Sequence, residues 1–88
     1  MKIFEECHAI LKYTTNSKFL SYINLSGYLK MLPDGCFYFD TLRYWLKSSI
    51  VKDISYEDSK MTFRTMNSVY VFEKLNEETP IFELKNLN

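Results

Sequence analysis

WLKSSIVKDISYEDSKMTFRTMNSVYVFEK, residues 45–74, holds three short runs rich in apolar, β-branched or aromatic residues. They are Ser49–Ile54, Lys60–Thr65 and Ser68–Phe72. Between them lie Tyr56-Glu57-Asp58-Ser59 and Met66-Asn67, polar enough or tolerant enough of positive φ to turn the chain. The pattern predicts a three-stranded antiparallel meander. In the middle run Met61, Phe63 and Thr65 share one face, opposite Lys60, Thr62 and Arg64. In the last run Val69 and Val71 oppose Ser68, Tyr70 and Phe72, so both faces are partly apolar and the strand should be an inner one.

Working back from Trp45, Pro33-Asp34-Gly35 is the clearest turn, with proline presetting φ and glycine supplying a positive φ. It should join Tyr28–Leu32 to Cys36–Phe39 as a hairpin. Asp40 is placed to cap a short segment Leu42–Leu46. Residues 18–32 are ambiguous: Phe19, Tyr22 or Ile23, and Leu25 fit a short helix, and Gly27 separates them from the alternating Tyr28–Leu32. Asn16 or Ser17 is a candidate cap for the turn before it.

In residues 2–13, Ile3, Cys7, Ile10 and Leu11 recur at helical spacing, with Glu5 and Glu6 near the start and Lys12 near the end. This predicts an N-terminal helix, against a competing edge strand. At the other terminus, Pro80 followed by Ile81–Leu84 suits a short edge strand. The expected fold is therefore α+β: one small domain spanning 1–88, with an antiparallel meander or partly open barrel of about five strands and one N-terminal helix.

Composition sets further bounds. Eighty-eight residues suffice for one core. Seven Phe, seven Tyr and one Trp are many rings for that length, and they offer a way to fill a core in a short chain. Cys7 and Cys36 form no CxxC pair, and no apolar run has the length of a signal peptide or membrane span. Reduced thiols in a cytoplasm are expected, with no membrane association. Formal charge is zero overall but uneven: residues 1–52 carry +3 and residues 53–88 carry −3. A dedicated non-specific DNA binder is normally basic throughout, so this balance favours a protein partner or a small basic patch facing RNA.

Little in the chain suits catalysis. His8 is the sole histidine, and Cys7, His8 and Cys36 fall short of the four ligands a structural zinc needs. On the predicted helix, Cys7 and His8 would point about 100° apart, which spoils a Cys–His nucleophile pair. Glu5-Glu6, Glu57-Asp58 and Glu77-Glu78 read as solvated acids, and no Gly-rich phosphate loop is present. The expectation is a non-enzyme without metal or cofactor.

What remains is a binding surface. Arg43, Tyr44, Trp45 and Lys47 lie within five residues, and Arg, Tyr and Trp are the types that dominate interface hot spots and base stacking. The competing reading buries Trp45 and Leu46 as an anchor, as is usual for the lone Trp of a small domain, and leaves Arg43 and Lys47 solvated. A second candidate patch interleaves Lys12, Tyr13, Lys18 and Tyr22.

The pattern Trp45-Leu46-Lys47-Ser48-Ser49-Ile50-Val51, then Thr65-Met66-Asn67-Ser68-Val69-Tyr70-Val71-Phe72, resembles stretches in small accessory proteins of T-even-like tailed phages. It covers about a third of the chain, and Lys, Asn, Ile and Phe are abundant, as in products of AT-rich phage genomes. The resemblance implies an early-gene type of product that binds and blocks a host factor, often part of a defence or toxin system. It carries no functional residue. Two expectations follow: a regulator binding a host protein through an aromatic and basic patch, or a small barrel binding RNA or single strands. Edge-to-edge pairing at Ser49–Ile54 or Ile81–Leu84 would add a homodimer.

Overall fold

The computed structural model describes residues 6–75. Six antiparallel strands follow one another in chain order: β1 (Cys7–Thr14), β2 (Ser26–Met31), β3 (Cys36–Asp40), β4 (Trp45–Glu57), β5 (Lys60–Thr65) and β6 (Val69–Lys74). Each pairs with the next, and β1 pairs with β6 to close the ring. A short 3-10 helix, Ser17–Tyr22, connects β1 to β2.

The N-terminal helix expected over 2–13 is corrected: its described part, from Cys7 on, is β1. Ala9 and Leu11 point inward with period two, and a bulge at Lys12 brings Thr14 rather than Tyr13 to the interior. The helical spacing arises because Ile10, half-buried on the outward face, falls between inward Cys7 and Leu11. Ladders to β2 on one side and β6 on the other then override weak local propensity. The barrel accordingly has six strands and is closed, where about five and partly open were expected.

β4 is the longest element at 13 residues. Straight, it would run about 40 Å at about 3.3 Å per residue. The longest principal extent of the described residues is 36 Å, which suits a strand that bends rather than runs straight. β4 bends by changing partners: Trp45–Ile50 face β3, and Val51–Glu57 face β5. Bulges mark both ladders. Ser48 and Ser49 together oppose Phe37 of β3, and Lys52 is the extra residue against β5. Segment Ser49–Ile54 is thus the place where β4 passes from one neighbour to the other rather than a simple sheet edge. The short segment Leu42–Leu46 expected after an Asp40 cap is also corrected. Asp40 Oδ1 accepts the Leu42 N–H (2.8 Å), but only a loop follows before β4 begins at Trp45. Buried Leu46 and Ser48 alternate with exposed Trp45, Lys47 and Ser49, which is strand period.

Other local expectations hold. β5 coincides with Lys60–Thr65, and Met61 and Phe63 fill the interior. The hairpin about Pro33-Asp34-Gly35 closes with Gly35 at φ +90° and Leu32 N–H donating to Cys36 O (2.8 Å). Asn16 caps the 3-10 helix, its Oδ1 accepting from Lys18 N–H at 3.0 Å. Gly27 is needed for close approach: a Cβ there would overlap the Asp40 carbonyl oxygen and lie 2.9 Å from its carbon and 3.0 Å from Thr41 Cα. Ile81–Leu84 lies outside the described residues.

Five rings form the centre of the core. Phe37 contacts Tyr70 (4.8 Å between centroids), Phe63 (5.1 Å) and Phe72 (5.4 Å), and Phe39 contacts Phe72 (4.9 Å). Most of these pairs are T-shaped or tilted, the geometry that ring quadrupoles favour. Ala9, Leu11, Leu29, Leu46 and Met61 pack around them. The buried Tyr70 hydroxyl accepts from Asn16 Nδ2 at 3.0 Å, so this polar end of the core is satisfied.

Candidate functional site: an aromatic end of the barrel

Consecutive antiparallel strands alternate direction, so loops 15–25, 41–44 and 66–68 gather at one end of the ring. Loops 32–35 and 58–59 sit at the other. The large hydrophobics left exposed among the described residues are Tyr13, Leu20, Leu42, Tyr44, Trp45, Ile50, Tyr56 and Met66. Five of the eight (Leu20, Leu42, Tyr44, Trp45 and Met66) belong to the first end, which makes it the outstanding apolar surface.

The 3-10 helix ties this end together. Phe19 leans on the Tyr70 ring at 6.5 Å and meets Tyr22 edge-on at 5.6 Å. Tyr22 meets the Tyr44 ring at 6.2 Å, and its hydroxyl donates to the Trp45 carbonyl at 2.8 Å. Trp45 itself is 61% exposed, because the inward positions at the start of β4 belong to Leu46 and Ser48. Its indole stacks on Tyr38 of β3, with centroids 5.8 Å apart and planes at 28°. Lys30 Nζ lies 5.8 Å from the Tyr38 centroid, within cation–π range.

Loop 41–44 presents its side chains in a fixed conformation. Thr41 N–H and Oγ1 both donate to the Tyr44 carbonyl (2.8 and 2.9 Å), and Tyr44 N–H donates back to Thr41 Oγ1 (3.0 Å). Leu42 is held at φ +75° with its side chain half exposed. A left-handed conformation costs a non-glycine residue about 1–2 kcal/mol, and the loop's hydrogen bonds carry that strain.

Charge is divided between the two ends. In loops 15–25, 41–44 and 66–68 the charged residues are Lys18 and Arg43, both cations, and neither has an ion-pair partner among the described residues. Loops 32–35 and 58–59 carry Asp34 and Asp58 and no cation. Lys47 is committed elsewhere: its Nζ lies 2.8 Å from Asp34 Oδ2. The Lys47 hydrogen bond, helped by the Cys36 N–H, lowers the Asp34 carboxyl to about 2 and raises the lysine in turn. Burial pushes the Cys36 thiol up, which makes it a poor nucleophile.

Of the residues singled out in the sequence, Tyr22, Arg43, Tyr44 and Trp45 come together at this end, with Lys18 on the same 3-10 helix as Tyr22. Lys12 and Tyr13 do not join them. They are exposed on β1, three strands around the ring from β4. Lys47 points outward beside Tyr38 and pairs with Asp34. Of the two readings of the lone Trp, the one that buries it with Leu46 is corrected: Leu46 is the anchor and Trp45 is at the surface. Leu20, Leu42 and Met66 were missed, since single apolar residues in loops carry no periodic signal.

Among the described residues no group of three or more His, Cys, Asp or Glu is placed to share a metal ion. The two cysteines are not joined in a disulfide, and among the described residues no helix is long and apolar enough to cross a membrane. No protein-family model, no curated protein and no solved structure matches the chain.

Proposed function

We propose that this chain is a non-enzymatic binding module that engages another protein through the aromatic end of its barrel, as an inhibitor or regulator. The supporting observation is the concentration of half-exposed Leu20, Leu42, Tyr44, Trp45 and Met66 at one end, while five other rings fill the core. A Trp and a Tyr left at the surface beside an arginine are the residue types of an interface hot spot. The resemblance to phage accessory proteins points to a host protein as the target. Co-purification with a tagged copy, with and without nuclease, tests this reading. A stoichiometric protein that survives nuclease and is lost on Trp45→Ala supports it. Retention of no protein at low or high salt sinks it.

One observation favours a second reading, binding of single-stranded nucleic acid. Lys30, Tyr38 and Lys47 occupy cross-strand neighbouring positions, with Trp45 stacked on Tyr38. That arrangement offers a stacking ring flanked by cations. The Lys47–Asp34 pair and the zero net charge weigh against it. A nuclease-sensitive partner would promote it.

A further inference from the structure

We infer that the partner segment seated on the aromatic end is acidic, with an apolar anchor: a protein segment in which Asp or Glu flanks a Leu, Phe or similar side chain. The inference rests on the protein-binding reading and names the chemistry of its partner. Charge complementarity carries it. The three loops at that end contain Lys18 and Arg43 and no acid, whereas the two loops at the opposite end contain Asp34 and Asp58 and no cation. Lys18 and Arg43 are both exposed and make no ion pair among the described residues. Asp40 is the cross-strand partner of Trp45 and so flanks this end, with one carboxylate oxygen engaged by the Leu42 N–H; set against Lys18 and Arg43 it leaves the end with a net charge of +1.

The apolar half of the recognition comes from Leu42, Tyr44 and Trp45, with Leu20 beside Tyr22 on the 3-10 helix. Tyr22, hydrogen-bonded to the Trp45 backbone and in ring contact with Tyr44, fixes the spacing between helix and loop. This surface is preorganised, which lowers the ordering cost of binding. Two exposed cations in the loops that carry the apolar residues disfavour a basic segment and steer an acidic one. Nucleic acid is also anionic, but aliphatic Leu20 and Leu42 bring neither a stacking ring nor a hydrogen-bonding group to a base. Two cations on a chain of zero net charge also make a poor polyelectrolyte clamp. A second copy would bring the same two cations face to face in a two-fold pairing of this end.

The test uses Trp45, the only tryptophan, as a built-in reporter. Random displayed peptides are selected on the immobilised full chain, and enriched peptides are titrated while Trp45 emission is followed. The expected result is enrichment of Asp and Glu around an apolar anchor and a blue shift of Trp45 emission. Affinity should weaken with salt and fall roughly tenfold or more in the Lys18→Glu, Arg43→Glu double variant. Both substitutions are at exposed positions, and a circular dichroism spectrum unchanged from the parent establishes that the variant folds. Selected peptides without acidic bias, or binding indifferent to the double variant, overturn the inference. Tighter binding of a thymidine oligonucleotide, or an emission shift with protein concentration alone, also overturns it, in favour of nucleic acid or self-association. If a co-purified protein depends on Trp45 but not on Lys18 or Arg43, the acidic partner falls and the protein-binding reading stands. If it depends on neither, both fall.

Discussion

Ser48→Ala isolates the device that lets β4 bend. At the bulge opposite Phe37 the regular ladder is interrupted, and the buried Phe37 N–H finds its acceptor in Ser48 Oγ at 2.9 Å. The same hydroxyl donates to the Ser49 carbonyl at 2.6 Å, so one side chain satisfies a donor and an acceptor that the bulge would otherwise strand. Alanine leaves the Phe37 N–H buried and unpaired, which costs about 1–3 kcal/mol. Ser48 is 6% exposed, so water has little access to replace the lost acceptor. Burying a methyl in place of a hydroxyl returns a little, and a net loss of about 2 kcal/mol is expected. For a chain of this length such a loss lowers Tm by about 10 °C. Urea denaturation of Ser48→Ala, Ser49→Ala and the parent measures it, and native-state hydrogen exchange follows the Phe37 amide. Ser49 is exposed, so its variant should stay within about 0.5 kcal/mol of the parent. The Phe37 amide should exchange faster in Ser48→Ala alone. Equal stability of the two variants, with Phe37 protection unchanged, would refute the bulge-acceptor argument.

Two further outcomes follow from the same frame. Gly27→Ala should cost about 1–3 kcal/mol, because the added Cβ meets the Asp40 backbone rather than a movable side chain; thermal denaturation reads it, and a neutral result would mean that β2 and β3 separate freely there. Asp34 has a folded value of about 2 against an ordinary 3.8, so the stability it adds is fully present above about pH 4 and is lost as pH falls through 2. Asp34→Asn keeps an acceptor for the Cys36 N–H but cannot ionise, so its urea midpoint should vary less between pH 4 and pH 2 than that of the parent. Identical acid profiles would place the Lys47 pair outside the stability balance.

The parts of the fold legible in the sequence are those where one residue decides a local geometry. Gly35 supplies the positive φ of the β2–β3 turn, and the uninterrupted alternation from Lys60 to Thr65 leaves β5 no other register. β1 and the start of β4 were illegible for different reasons. In β1, half-buried Ile10 on the outward face lies between inward Cys7 and Leu11 and lends the run a helical spacing; in β4 the bulge makes Ser48-Ser49 look like a break before the strand rather than a kink within it. Closure of the ring was hidden as well, since the bulges allow the strands to curve until β6 reaches β1.

The candidate site follows a different logic. Composition alone suggested that the rings of so small a protein would be spent on its core, and Trp45 with them. The interior is instead filled by Phe37, Phe39, Phe63, Tyr70 and Phe72, each 2% exposed or less. Trp45 is turned out by the strand alternation that turns Leu46 in. A register shift by one residue would exchange them, burying the indole and exposing the leucine. That slip would break the hydrogen bond from Phe37 N–H to Ser48 Oγ and turn Lys47 inward along with Trp45, so both oppose it. The exposed aromatic end and the buried bulge are therefore coupled: the interaction that bends β4 also holds Trp45 on the surface, where the proposed partner meets it.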